Sequence, residues 1–393
     1  MSPLRIAFFA AGTLTLAALP VSAQEPVKEP IKLGALLSMS GTFASPSKDM
    51  HEGMLLALER RGNRLGGRPV TLILRDDQAK PELAVEAANR LIRNDQVDFI
   101  AGAGLSNIMM AVYRPITTAQ TFLIGTNSGP APVAGKDCSP YFFSSSWQND
   151  QNAEVMGEYL SKQGISDVFI LAPNYQAGKD LLAGFKRTFK GKIVGEVYTP
   201  LSQTDFSAEI SRVKAANPKA VYVFYPGGWG VQWAKQYSQA GVDKTIPLYS
   251  SFMLDEVSIQ AMGDAAIGMF STAHWVGDIK NAANEKFVKD FRAKFGRSPS
   301  AYASQAYDGI QLIAAAADEL KGDLKDKEKV KAALQNAKFE SVRGSFKFNT
   351  NHFPIQDFYL TKVDKQGNEL TLVTVSKAAE QAKDVYAAEC PMK

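Results

Sequence analysis

Residues 31–104 read IKLGALLSMSGTFASPSKDMHEGMLLALERRGNRLGGRPVTLILRDDQAKPELAVEAANRLIRNDQVDFIAGAG. The apolar run Ile31–Leu37 has the length of a strand and stops at a Ser/Gly/Thr loop, Ser38-Met39-Ser40-Gly41-Thr42. A helical period spans Lys48–Arg61, and a second strand, Pro69–Arg75, ends in Asp76-Asp77. The helix Pro81–Asn94 then leads to a third strand, Val97–Ala101, which opens into Gly102-Ala103-Gly104. This is a βαβαβ unit, whose strand ends form a crevice for a small molecule.

What precedes the unit narrows its use. Residues 1–23 carry Arg5, an apolar run Ile6–Leu19 and the small-x-small sequence Val21-Ser22-Ala23, the pattern of a cleaved secretory leader. The run is too short for a membrane anchor, and no Cys follows the cleavage site to take a lipid. No later segment reaches the ~18 apolar residues of a membrane span. A soluble protein of the periplasm of a double-membraned bacterium is expected.

The chain has 393 residues and a formal charge of +4, which falls to +3 once Arg5 is removed. That balance, with no basic cluster, argues against nucleic acid as a partner. The two cysteines, Cys138 and Cys390, are expected to pair in an oxidising compartment, since no CxxC or metal spacing accompanies them. Such a bridge closes a loop of about 250 residues, worth at most ~5 kcal/mol in the chain-entropy picture.

The βα alternation continues. Short apolar runs at Thr121–Ile124, Val168–Leu171, Ile193–Tyr198, Ala220–Phe224 and Pro247–Tyr249 read as buried parallel strands. Helical patterns at Asn152–Gln163, Gly178–Phe189, Phe206–Ala216 and Val231–Ala240 separate them. After Gly268 the order changes to the helical stretches Ala283–Phe295, Ala301–Leu320 and Lys325–Asn336, then the strands Gly344–Phe348, Gln356–Val363 and Leu370–Val375. A hairpin signal, Asp364-Lys365-Gln366-Gly367-Asn368, lies between the last two. The fold class is α/β, with two similar doubly wound halves.

The ordered set Ile31–Gly41, Asp76-Asp77 with the Pro81 helix, Gly125–Ser128, Asn149-Asp150-Gln151, Tyr302–Asp308 and Arg343–Asp357 resembles the periplasmic solute-binding proteins of ABC importers, of the branched-chain amino acid-binding type. The resemblance covers essentially the whole mature chain. It implies the type I fold, two α/β lobes joined by three crossover strands that trap ligand between them. Lobe 1 is then 24–145 plus 275–350, and lobe 2 is 146–274 plus 351–393. It also implies a monomer that delivers a small molecule to an ABC transporter permease, with no cofactor and no membrane-embedded part.

The crevice loops of lobe 1 are Ser38–Thr42, Gly102–Asn107 and Gly125–Ser128. Each should lead into a helix, whose free amides and positive dipole end suit a carboxylate. The competing explanation is tight turns and N-caps. Ser40, Ser106, Thr126 and Ser128 are the candidate donors to that carboxylate, with Asn107 and Asn127 beside them. A slip of one residue would put Leu105 in the place of Ser106.

Lobe 2 offers aromatics beyond its strand ends: Trp147, Tyr175, Tyr225 and Phe252 as a ring-facing wall, with Tyr302 closing from the crossover side. Gln148 and His274 are candidates to bond a ring substituent. Amino-acid binders of the resembled family carry an acid near the position of Phe252, to pair with the ligand ammonium. An unpaired buried ammonium costs several kcal/mol, more than the ~0.5–1.5 kcal/mol of an aromatic stack. The ligand class expected is therefore an aromatic acid of benzoate, hydroxybenzoate or phenylpropenoate type, and the segment RGSFKFNTNHFPIQDFY (343–359) resembles the subgroup associated with aromatic-acid uptake. Asp255 and Glu256 keep an amino acid or amide in play.

Enzyme signatures are missing. The three histidines, His51, His274 and His352, form no zincin pair, because Leu55 stands four after His51. Asn107 occupies the place of the third Gly of a dinucleotide fingerprint, and neither a Walker A loop nor a GxSxG elbow is present. Asp76-Asp77 reads as a pair of solvated turn residues. A secreted sensor of the same fold and an exported hydrolase are the alternatives to transport.

Overall fold

The computed structural model describes residues 1, 3–4, 29–367 and 369–392. The cleavage site Val21-Ser22-Ala23 and nearly all of the expected leader lie outside the described residues.

Two lobes each enclose a mostly parallel sheet. The first contains β1 (Ile31–Leu37), β2 (Arg64–Leu65), β3 (Arg68–Asp76), β4 (Phe99–Gly102), β5 (Phe122–Gly125) and β6 (Phe142–Ser144), in the order β2-β3-β1-β4-β5-β6. The second contains β7 (Asp167–Pro173), β8 (Lys192–Thr199), β9 (Ala220–Val223), β10 (Leu248–Ser251), β11 (Phe270–Ala273), β12 (Lys347–Phe348), β13 (Pro354–Gln366) and β14 (Glu369–Ala382). Its order is β12-β13-β11-β10-β9-β7-β8, with β14 also on β13. The parallel cores β3-β1-β4-β5-β6 and β8-β7-β9-β10-β11 share one topology, so their switch points fall between β1 and β4 and between β7 and β9.

Three connections pass between the lobes. The chain leaves the first sheet after β6 and leaves the second after β11. The helices Ala282–Phe295, Ala301–Glu319 and Lys327–Gln335 follow, and the chain re-enters the second sheet at β12. Helix Ala301–Glu319 packs on helix Ala44–Glu59, and Gly53 makes the approach possible: a Cβ there would sit 2.2 Å from the Ala303 carbonyl.

β1 matches its expected limits, and every residue of β4, β5 and β9 is buried, as parallel strands covered on both faces require. Other elements differ from expectation. Helix Ala44–Glu59 begins four residues early, behind a 3₁₀ turn at Gly41–Phe43, because Pro46 is tolerated in a first helical turn. The β2–β3 hairpin was not expected; its two-residue turn is Gly66-Gly67, both at positive φ. β6 and β11 also lay outside the expected strands, and the strand expected at Gly344–Phe348 shrinks to β12. The final hairpin is longer than anticipated and turns at Gly367, next to the undescribed Asn368.

Cys138 and Cys390 form a disulfide across 252 positions, with Cα atoms 5.6 Å apart. The tail beyond β14 thus runs from the second sheet to the segment before β6. On the way Asp384 accepts from Asn349 and Asn351, and the Tyr386 hydroxyl donates to Asp150. Among the described residues no helix is long and apolar enough to cross a membrane.

Candidate functional site

A narrow cavity lies between the lobes, at the carboxyl ends of both parallel cores. Phe43, Gly104, Leu105, Ser106, Asn127 and Ser128 face it from the first lobe. Trp147 and Asn149 contribute from the first crossover, and Tyr302 from the start of its helix. The second lobe supplies Tyr175, Ala177, Leu181, Phe224, Pro226 and Phe252. Among the described residues no Asp, Glu, Lys, Arg or His lines the cavity.

The first-lobe wall begins where β4 ends. Gly102 sits at φ +135°, where a Cβ would meet the Leu36 carbonyl at 2.1 Å, and Ala103 follows at φ +57°. This turn aims helix Ser106–Thr118 at the cavity. Its N-cap residue, Leu105, has no side chain that can cap it. The amides of Ser106, Asn107 and Ile108 lie in its first turn, where no preceding helical carbonyl can pair them, and they are donors for an anion.

The side chains around this turn mostly hold backbone. The Ser128 hydroxyl donates to the Ala103 carbonyl (2.7 Å), the Asn127 amide donates to the Gly104 carbonyl, and Gln305 donates to Asn127 Oδ1 (2.8 Å). Ser106 Oγ accepts from Asn149 Nδ2 (3.1 Å). The hydroxyl donors expected for a carboxylate are therefore largely engaged in shaping the loops that present the amides.

Of the candidate residues, Ser106, Asn127, Ser128, Trp147, Tyr175, Phe252 and Tyr302 line the cavity, and Leu105 lines it beside Ser106. Six expected residues do not reach the wall. Ser40 is exposed and bonds Asp76 Oδ2 (3.2 Å), because β1 pairs with β3 at Leu37–Asp76 and the loop folds over that strand; Phe43 takes its place. Thr126 is buried behind the wall with its hydroxyl toward Met50 Sδ (3.5 Å), and Asn107 lies off the wall on the helix.

Gln148 is a helix cap. Its side chain accepts from the Asp150 amide (3.1 Å) while Gln151 accepts from the Gln148 amide (3.0 Å), and the neighbouring Asn149 lines the cavity instead. Tyr225 packs between Phe206 and Trp233 and bonds Thr199 (3.1 Å). Phe224 replaces it, since adjacent residues of an extended chain point to opposite faces. His274 stands behind Trp147, ring centroids 4.8 Å apart, and its two ring nitrogens have no partner among the described residues. Burial, with help from the Arg343 charge, holds its pKa well below the usual imidazole value, so the ring is neutral.

The aromatic wall is organised around Phe252. Its ring lies on Trp147 at 4.0 Å and 23°, and its backbone sits at φ +58°, a region that a bulky residue adopts only under constraint. Its carbonyl accepts from the Tyr302 hydroxyl at 3.4 Å. Tyr175 lies flat toward Phe224, at 6.1 Å and 18°. Burial pushes both the Tyr175 and Tyr302 hydroxyls far above the usual phenol pKa, keeping them protonated as donors.

Neither acid near Phe252 lines the cavity. Asp255 caps the following turn, accepting from the Val257 and Ser258 amides (both 2.9 Å) and the Ser258 hydroxyl (2.5 Å). Burial pushes its pKa up to about 6. Glu256, raised to about 8 by burial and the Asp255 charge, lies in an outer groove with Asp278 and Arg292. Asp77 is buried and bonds Ser38 (2.5 Å), which corrects its expected place as a solvated turn residue.

A family model described as periplasmic binding protein matches residues 30–368. Leu/Ile/Val-binding protein homolog 6 of Brucella melitensis biotype 1 is 26% identical over 360 residues, covering 89% of this chain and 92% of the relative. An ABC-transporter solute-binding protein from R. palustris, solved in complex with benzoate, superposes with a TM-score of 0.87 at 30% identity, over 91% of this chain and 99% of its own. A solute-binding protein of an ABC transporter from Rhodopseudomonas palustris BisB5, in complex with 3,4-dihydroxy benzoic acid, gives 0.86 at 31% identity with the same coverage.

Proposed function

The chain belongs to the periplasmic binding protein family, and from that premise we propose that it captures an aromatic carboxylate between its lobes and delivers it to the permease of an ABC importer. It is a binding protein, not an enzyme. Export through the leader at 1–23, action in the periplasm as a monomer, and lobes made of 24–145 plus 275–350 and 146–274 plus 351–393 belong to the same proposal.

The wall itself carries the ligand class. It has uncapped helix amides on one side, stacked rings on the other and no ionised side chain. A carboxylate at the start of helix Ser106–Thr118 gains donors and the dipole. An α-ammonium has no carboxylate partner at the wall, and leaving it unpaired costs several kcal/mol. The benzoate and 3,4-dihydroxy benzoic acid in the two R. palustris relatives support the same class.

The 26% identity to a Leu/Ile/Val-binding homologue favours a second reading, a branched-chain amino acid. Binding is coupled to closure in either case, because only the closed form offers contacts from both lobes. A thermal-shift and calorimetric screen with benzoate, 4-hydroxybenzoate and leucine separates the two. The benzoates are expected to stabilise the chain, by about 2.7 kcal/mol at a hundred times Kd. Tight leucine binding with no benzoate response sinks the aromatic reading.

A further inference from the structure

We propose that Asp180 is a positioning residue that latches the second lobe onto the first over a bound ligand, acting through Asn149 and the Ala131 amide. The inference rests on the two-lobed trap described above, and it adds a residue that makes no contact with the cavity.

Asp180 lies on helix Gln176–Thr188 of the second lobe, one turn beyond the cavity residue Ala177. It is 5% exposed. Its Oδ2 accepts from the Ala131 amide (3.1 Å) and from Asn149 Nδ2 (2.9 Å), and its Oδ1 accepts from Gln176 (2.7 Å). Ala131 belongs to the first lobe, directly after the Asn127–Ser128 loop. One carboxylate oxygen of the second lobe thus receives a donor from the first lobe and another from Asn149, the first residue of helix Asn149–Lys162, which packs on the Asp180 helix.

Asn149 carries the coupling onward. Its amide donates to Gly129 O (2.9 Å) and its Oδ1 accepts from Gly129 N (3.0 Å), which fixes the side chain to the first-lobe loop. The side-chain NH₂ has two hydrogens. One goes to Ser106 Oγ in the first turn of the anion-facing helix, and the other goes to Asp180. The helix start that would hold a ligand carboxylate is therefore two hydrogen bonds away from the closing lobe.

A buried carboxylate needs donors in any fold, so the arrangement matters because of where they come from. Gln176 is on the same helix as Asp180 and stays with it when the lobes part. The Ala131 amide is across the cleft, so opening returns both it and Asp180 Oδ2 to water. Burial, with the nearby Asp150 charge, raises the Asp180 pKa to about 6 in this closed arrangement, even with its donors in place. Removing the cross-lobe donor leaves that carboxylate desolvated with fewer partners, which penalises the closed form alone.

The test uses the full chain and two variants. Ala131→Pro removes the donor and sets the ring Cδ where the N–H pointed, toward Asp180 Oδ2, so it opposes the closed contact on both counts; Pro130 already has φ −58° and ψ 143°, the extended conformation that a residue before proline adopts, and position 131 is the first of its helix. Asp180→Ala removes the acceptor. Dissociation of benzoate, or of leucine should the wild type bind leucine instead, is measured together with the distance between spin labels on the two lobes. Which ligand the wild type prefers reports on the proposed function; the ratio of variant to wild type reports on the latch.

Ala131→Pro is expected to weaken affinity by roughly ten- to a hundredfold, from the net worth of a hydrogen bond to a charged group, through faster dissociation. The melting temperature of the ligand-free, open chain should stay at the wild-type value. The spin-label distribution should widen in every condition in which the wild type shows a closed population, ligand present or not. Should Asp180→Ala fail to fold, Asp180→Asn takes its place, keeping the shape and removing the charge, and a loss in the same direction is expected of it. Wild-type dissociation and closure in Ala131→Pro would overturn the latch, as would an affinity loss that merely follows a lowered ligand-free melting temperature.

Discussion

The two faces of the cavity are built on different principles. On the first-lobe face Asn127 and Ser128, with Gln305 behind them, are engaged in holding the loops around the proposed amide site at the start of helix Ser106–Thr118, and Phe43 and Leu105 are the apolar members of that wall. On the second-lobe face the side chains themselves are the surface: Phe252 on Trp147, Phe224 beside Tyr175. A wall made of amides tolerates change in the side chains around it, provided the turn at Gly102–Ala103 survives. A wall made of rings depends on each ring. Mutational effects should therefore be steep on the aromatic face and shallow on the polar one.

Phe252→Glu should produce the largest effect. It sets an ionised group against Trp147 with no cation at the cavity wall to pair it. An uncompensated buried charge costs several kcal/mol, so benzoate affinity should fall by at least about a hundredfold, while leucine gains the acid that its ammonium requires. Titration calorimetry with both ligands checks this. Retained benzoate affinity within tenfold would mean that the aromatic face is not what the ligand meets.

Ser106→Ala probes the other face. The hydroxyl accepts from Asn149 Nδ2, and the helix amides remain in place without it. Loss of one neutral hydrogen bond, ~0.5–1.5 kcal/mol, corresponds to a rise in Kd of roughly two- to tenfold. A loss as steep as that of Phe252→Glu would abolish the contrast between the faces.

The division also explains what could be read from residue order alone. The strands that set the cavity were legible because β1, β4, β5 and β9 are apolar runs of strand length, bounded by Gly, Ser or charged residues. β11 escaped notice: its Phe-Ser-Thr-Ala sequence carries two hydroxyls that look like loop chemistry, yet Thr272 and Ser271 are buried, and Thr272 bonds the Asn152 carbonyl. At the site, composition located the loops but not the atoms. Ser40 was misplaced because the β1–β3 pairing is a non-local fact. Tyr225 and Phe224 exchanged roles because parity at a strand end depends on where the strand stops. The Gln148–Gln151 cap did leave a signal, a polar acceptor three residues before Gln, and that pattern would have moved attention to Asn149. Nothing in the order of residues pointed to Asp180, whose partners Ala131 and Asn149 lie 49 and 31 positions away.

Asp255→Asn should produce the smallest effect on ligand and a distinct one on stability. Asp255 is the acid nearest Phe252 in the chain, and its carboxylate is occupied by two amides and a hydroxyl of its own turn. Asn caps about as well as Asp, so benzoate affinity at pH 7 should stay within twofold; a fall beyond tenfold would make Asp255 a ligand partner after all. The pH dependence follows from its pKa, raised from 3.8 to about 6 by burial. The folded chain holds this proton more tightly than the unfolded chain does. The corresponding stability is fully present below about pH 4, is lost as the pH rises to about 6, and is constant above that. Asn does not titrate, so the variant should lack this share of the decline between pH 4 and 6 and match or exceed the wild-type Tm at pH 7. A gain of about 1 kcal/mol moves Tm by ~2–4 °C in a domain of 150–250 residues. Thermal melts of both chains at pH 4, 6 and 7.5 read the difference, and parallel curves would mean that the fold leaves the Asp255 pKa at its unfolded value. The contrast between the two walls would stand in that case too, because the Asp255 carboxylate is held by its own turn away from the cavity.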